Sequence, residues 1–101
     1  MIVRLSRGRF DPGKYDDVRQ RLDDSQQTLI PAIRALHGCI HYWAGIDPVG
    51  NTMVNISVWH AIDDARQMDT LAPMQALAAE FTALGVTFER PIVNYDTLWE
   101  I

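Results

Sequence analysis

At 101 residues the chain has the length of one domain, spanning 1–101, with room for a core of its own. Its 48% hydrophobic and 22% charged residues are those of a globular protein, and a net charge of −4 argues against nucleic acid or an anionic membrane surface as partner, since both require clustered cations. A lone cysteine, Cys39, excludes an intrachain disulfide and suits a reducing cytoplasm. The opening MIVRLSRGRF does not read as a signal peptide, because charges interrupt its apolar residues. No apolar run approaches the ~20 residues of a membrane span.

Residues 2–9 alternate, with Val3 and Leu5 on one parity and Ile2, Arg4 and Ser6 on the other, which predicts a first strand. Arg4, Arg7 and Arg9 cluster there, but Asp11, Asp16 and Asp17 follow at once, as at a solvated strand end beside a helix start. Asp11-Pro12 opens that helix, and Tyr15, Val18, Leu22, Leu29, Ile33 and Leu36 form its apolar stripe. Pro31 predicts a bend or break near Ile30, and Gly38 a C-cap.

Strands are predicted at 39–46 and 52–60, joined by the turn formers Asp47 to Asn51 as a hairpin. An unbroken register sets Ile40, Tyr42 and Ala44 opposite Val58, Ile56 and Val54. The other face then pairs Cys39 with Trp59, His41 with Ser57 and Trp43 with Asn55. Asp63-Asp64 begins a second helical region with acids in its first turn, kinked or restarted at Pro73 and closed by Gly85. A last strand follows, interrupted at Pro91, so the inward parity of 92–99 stays open.

The order β-α-β-β-α-β predicts an α+β, ferredoxin-like fold, an antiparallel four-stranded sheet with two helices on one face. The more apolar parity (Val3, Leu5, Ile40, Ala44, Val54, Ile56, Val58) is expected beneath the helices. That leaves Ile2, Trp43, Met53 and Trp59 on a bare face, an apolar patch most simply covered by a second copy of the chain. Two sheets meeting face to face would close a barrel, with a ligand cavity where polar residues interrupt the contact.

A third strand reading N-I-S-V-W, the D-D-A helix start after it, and the passage L-G-V-T-F-E resemble the dimeric α+β barrel superfamily, in its antibiotic-biosynthesis-monooxygenase-like branch. The resemblance covers nearly the whole chain and implies a homodimer. It implies either a small cofactor-independent monooxygenase acting on an aromatic, phenolic or quinone-like molecule, or a non-catalytic ligand-binding or stress-associated dimer of the same fold. Cofactor-free oxygenases of this superfamily carry an Asn and a Trp four apart on the third strand, as Asn55 and Trp59 stand here. Their Tyr and Arg from the second helix region have no counterpart, since Arg66 lies too early. Haem-degrading members need an Asn on the first strand, where this chain has Arg7, and a His on the second helix, where it has none.

Cofactor-free oxidation needs an electron-rich substrate anion, a group to take its proton, and donors to hold the oxyanion. Asn55 and Trp59 are the candidate donors and His41, on the same predicted face, the candidate base. Arg4, Ser6, Trp43, Met53 and Ser57 share that face as candidate ligand contacts, and Tyr95 is either core or pocket. The competing structural readings are an interface aromatic for Trp59 and a cross-dimer hydrogen bond for Asn55. His37, Cys39 and His41 do not suggest a metal site: on a strand all three would span ~13 Å, too far for one ion. Neither metal nor organic cofactor is expected.

Overall fold

The computed structural model describes residues 1–101. Strand β1 (Ile2–Arg9) leads through a 3₁₀ turn (Pro12–Lys14) into helices α1 (Tyr15–Asp24) and α2 (Gln26–Arg34). Strands β2 (Cys39–Asp47) and β3 (Thr52–Trp59) form the hairpin. A short helix α3 (Ile62–Arg66) and a 3₁₀ turn (Gln67–Asp69) precede α4 (Ala72–Ala83), and β4 (Thr87–Phe88) and β5 (Val93–Asp96) end the fold. The sheet runs β2-β3-β1-β4, with β5 also on β1, and all pairs are antiparallel. This is the ferredoxin-like α+β arrangement expected from the element order.

The local signals account for most boundaries. Gly85, directly after the C-cap Leu84 of α4, takes a positive φ of 99°, the left-handed conformation that ends a helix and that glycine adopts without a Cβ penalty. Gly38 also has a positive φ, 78°, but α2 already ends at Arg34 with Ala35 as its C-cap, so Gly38 turns the chain into β2 instead of capping the helix as expected. Pro73 lies in the first turn of α4, where its missing N–H costs nothing. The break in the first helical region falls at Ser25 rather than near Ile30. The Ser25 hydroxyl donates to the Leu22 carbonyl, offering the backbone an alternative to the helical ladder, while Pro31 stays inside α2.

Two expectations are corrected. The hairpin register begins as predicted, with Cys39 opposite Trp59, but the pairing then shifts at a bulge between Cys39 and His41. Beyond it His41 faces Val58, Tyr42 faces Ser57, Trp43 faces Ile56 and Ala44 faces Asn55. One extra residue exchanges the two faces of β2.

The second correction concerns which face the helices cover. Ile2, Met53 and Trp59 are 7%, 2% and 0% exposed and pack with Val18, Leu22, Leu29, Ile33, Leu77 and Phe81 of the helices. Val3, Leu5, Val54, Ile56 and Val58 are only half-buried, on the open side. The helices therefore sit on the parity that carries Arg4, Ser6, Asn55 and Ser57. Polar residues are accommodated there because the helices do not close fully onto the sheet.

Candidate functional site

Between the sheet and α4 lies a cavity of about 470 Å³, within the size range of small-molecule sites. Its floor is built from cross-strand rows. One row runs Asn94 (β5), Arg4 (β1), Ser57 (β3), Tyr42 (β2), each side chain set beside the next by the antiparallel register. The neighbouring row places Ser6 beside Asn55. The opposite wall is apolar, from Met68, Met74, Leu77 and Phe81, and the segment Arg90 to Ile92 borders one side.

The polar groups differ in how well they are satisfied. Arg4, 7% exposed, donates from Nη2 to Asp69 Oδ1 at 2.7 Å, and Asp69 is half exposed. Arg90 lies 3.5 Å from the Ser6 hydroxyl, bonds its neighbour's carbonyl, and stacks over the Phe88 ring at 4.7 Å; it has no carboxylate partner. Partial burial, then the like charge of Arg4, lowers the Arg90 guanidinium below its ordinary value. The Tyr42 hydroxyl and Asn94 Oδ1 are buried without a hydrogen-bond partner. Burial pushes the Tyr42 phenol well above its usual value, with the Arg4 charge opposing the shift, so Tyr42 remains a neutral donor. Orphaned buried polar atoms are uncommon in folded proteins, and each calls for a partner such as a water or a ligand.

The sequence candidates divide sharply. Arg4, Ser6, Met53, Asn55 and Ser57 line the cavity. Trp59 does not: its indole is fully buried in the core beneath the helices, next to Ser57 on the same face of β3, and donates from Nε1 to Ser57 Oγ at 2.8 Å. It thus orients a cavity hydroxyl. His41 lies on the far face, exposed and stacked on Trp43 at 5.2 Å, and Tyr95 is half exposed there beside Val3. The bulge is the reason for His41 and Trp43, since it turns both away from the cavity and turns Tyr42 in. Sequence reading missed Tyr42, Asp69, Arg90 and Asn94. Tyr42 needed the bulge, and Arg90 and Asn94 needed the path of the chain around Pro91. His37 stands apart from Cys39 and His41 and pairs through Nδ1 with Asp64 Oδ1 at 2.7 Å.

No protein-family profile and no curated protein sequence matches the chain. Solved structures do match it in shape. A candidate antibiotic biosynthesis monooxygenase from Deinococcus radiodurans superposes with a TM-score of 0.77 at 18% identity, over 100% of this chain and 96% of that one. The chain has their fold. Rv0793 from Mycobacterium tuberculosis gives a TM-score of 0.70 at 18% identity, over 98% and 96% of the two chains. SnoaB, a cofactor-independent oxygenase from Streptomyces nogalater, gives 0.65 at 17%, over 99% and 95%. Identities this low establish the shared ferredoxin-like architecture and leave activity to be argued from the cavity.

Proposed function

We propose that the cavity binds a planar phenolic or quinone-like molecule and that the protein is a cofactor-independent monooxygenase. The observation that carries this reading is the cavity's make-up: one wall of Met68, Met74, Leu77 and Phe81 facing a row of hydrogen-bonding groups that the fold leaves underused. An aromatic ring suits the apolar wall, and its oxygen suits the donors of Arg4 and Asn55. Those donors would stabilise the phenolate and so favour loss of its proton, and it is the deprotonated ring that can give an electron to dioxygen. Asp69 is the only carboxylate lining the cavity and the group placed to take the proton. The SnoaB fold match supports this class of chemistry.

The absence of His41 from the cavity favours a second reading, ligand binding without turnover. Oxygen uptake with a panel of hydroxylated naphthalenes decides between them. Uptake that depends on the phenol and on enzyme concentration supports the oxygenase. Saturable quenching of tryptophan fluorescence with no uptake supports the binding protein.

The reading includes a homodimer, formed through the open sheet face. Two rows meet there: Tyr95, Val3, Val58, His41, and Val93, Leu5, Ile56, Trp43. Trp43, Tyr95 and Val93 are 52%, 52% and 43% exposed, and Leu98 and Trp99 of the C-terminal segment are exposed beside them in sequence. The chain exposes 6504 Å², against about 5,800 Å² for a monomer of its mass. The excess and the apolar rows fit a surface that a second copy covers.

A further inference from the structure

Charge is unevenly spent within the cavity. Arg4 is more than nine-tenths buried, yet only one of the five N–H groups of its guanidinium meets a protein acceptor, Asp69 Oδ1. Arg90 stands at the same cavity and is joined to no carboxylate. With two guanidiniums and one carboxylate, the lining has a net positive charge in a protein that is negative as a whole. A buried guanidinium with unused donors is costly unless something accepts from them. The one acceptor now serving Arg4 comes from the half-exposed Asp69, beyond the end of the short helix α3 rather than from the sheet. An incoming anion can therefore take its place without disturbing the cavity floor.

From this we infer that the cavity selects aromatic acids: the carboxylate of the ligand sits between Arg4 and Arg90 near the Ser6 hydroxyl, and its ring lies along Met74, Leu77 and Phe81. The inference rests on the proposed ligand-binding role of the cavity but not on any turnover there, and for an aromatic acid it gives Arg4 to the carboxylate and leaves the phenolic oxygen to Asn55. Arg4 supplies a fixed, desolvated donor set, where a charge-assisted hydrogen bond is strongest. Arg90, nearer solvent and held over the Phe88 ring, supplies the second cation at the entrance. Asp69 acts as an internal competitor that occupies Arg4 while the cavity is empty. That assignment makes two variants move in opposite directions, which a general loss of structure could not do.

The test is a fluorescence or calorimetric titration at pH 7.5 with 6-hydroxy-2-naphthoate and with 6-hydroxy-2-naphthamide, its uncharged counterpart. Wild-type protein is expected to bind the acid at least about tenfold more tightly than the amide, the ratio one charge-assisted contact produces. Arg90→Gln should reduce that preference severalfold and leave amide affinity alone. Asp69→Asn, which removes the competitor, should tighten the acid and not the amide. Thermal melts show that each variant is folded. Equal binding of acid and amide by wild type overturns the inference, as does failure of both to bind or an Asp69→Asn protein that binds the acid more weakly. Oxygen consumption is measured in the same samples with both compounds. Preference for the acid without consumption upholds this inference and defeats the oxygenase reading; consumption with equal affinities does the reverse.

Discussion

Ser57 and Trp59 show how one side chain sets another. The indole N–H of Trp59 is fully buried and its single acceptor is the Ser57 hydroxyl. Ser57→Ala would strand that donor, at a cost of about 1–3 kcal/mol. Trp59→Phe removes the donor and a little volume, and should cost less than Trp59→Ala, for which about 3–5 kcal/mol is expected from the cavity left behind. Combining Ser57→Ala with Trp59→Phe should then cost clearly less than the two single changes summed. Urea denaturation of the four proteins of that cycle checks the coupling, and strict additivity would refute the hydrogen bond's role. Asn55 is the contrasting case, because its amide lines the cavity and the side-chain hydrogen bonds described above do not include it. Asn55→Ala is expected to leave the melting temperature nearly unchanged while weakening binding of a hydroxynaphthalene about tenfold, or ~1.4 kcal/mol. A destabilised variant with unaltered probe affinity would falsify the assignment of Asn55 to the ligand.

At the level of elements, two connections fix where β2 runs. Gly38 joins α2 to β2 at a φ of 78°, and a Cβ there would collide with the Asp64 carboxylate. Gly38→Ala is disfavoured twice over, by the left-handed backbone (about 1–2 kcal/mol) and by displacement of Asp64 from His37. A loss of at least that size is expected in chemical denaturation, whereas Gly13→Ala, where a Cβ meets nothing, should be nearly silent. At the other end of β2, Asp47 accepts the Val49 amide at 2.9 Å. The Gly50 and then the Val49 amide lower the Asp47 carboxyl below its ordinary value. Its folded pKa is thus depressed relative to the unfolded chain. The stabilisation is present above the unfolded Asp value of about 3.9 and disappears as pH falls through the lower folded value. An NMR titration should show Asp47 titrating at lower pH than a free Asp and the Pro48–Asn51 turn loosening with it.

For the whole molecule, the two faces of the sheet make opposite predictions. Ile56 lies in the middle of the open apolar rows, so Ile56→Asp should yield folded monomers in place of the expected dimer. Met53 is 2% exposed beneath the helices, and Met53→Asp should abolish folding instead of dissociating a dimer. Sedimentation and circular dichroism of the two variants distinguish the faces. A monomeric wild type, or dimeric Ile56→Asp, would remove the open face as the interface. No helix is long and apolar enough to cross a membrane.

Alternation and capping are local signals, and they sufficed for the first three strands, the element order and hence the ferredoxin-like topology, although the single last strand read around Pro91 is divided into β4 and β5. The sequence also placed Arg4, Ser6, Met53, Asn55 and Ser57 on one shared parity, since a strand of period two sorts its side chains without help. It could not say which parity the helices cover. Alternation looks the same from either side of a sheet, and here the usual guide, that the more apolar face turns inward, points the wrong way. The face with Val3, Leu5 and Ile56 is left open, while the face with Arg4 and Ser57 forms the floor of a cavity that tolerates polar groups. The bulge after Cys39 was equally hidden, because Ile40 is as good a strand residue in register as out of it, and the shift depends on how β2 meets β3 across the sheet. That one residue decided that Tyr42 faces the cavity and His41 does not. Only tertiary structure could bring Arg90 and Asp69 to Arg4, for they are 86 and 65 positions away in sequence, and their proximity follows from packing of α3 and the last strands on β1.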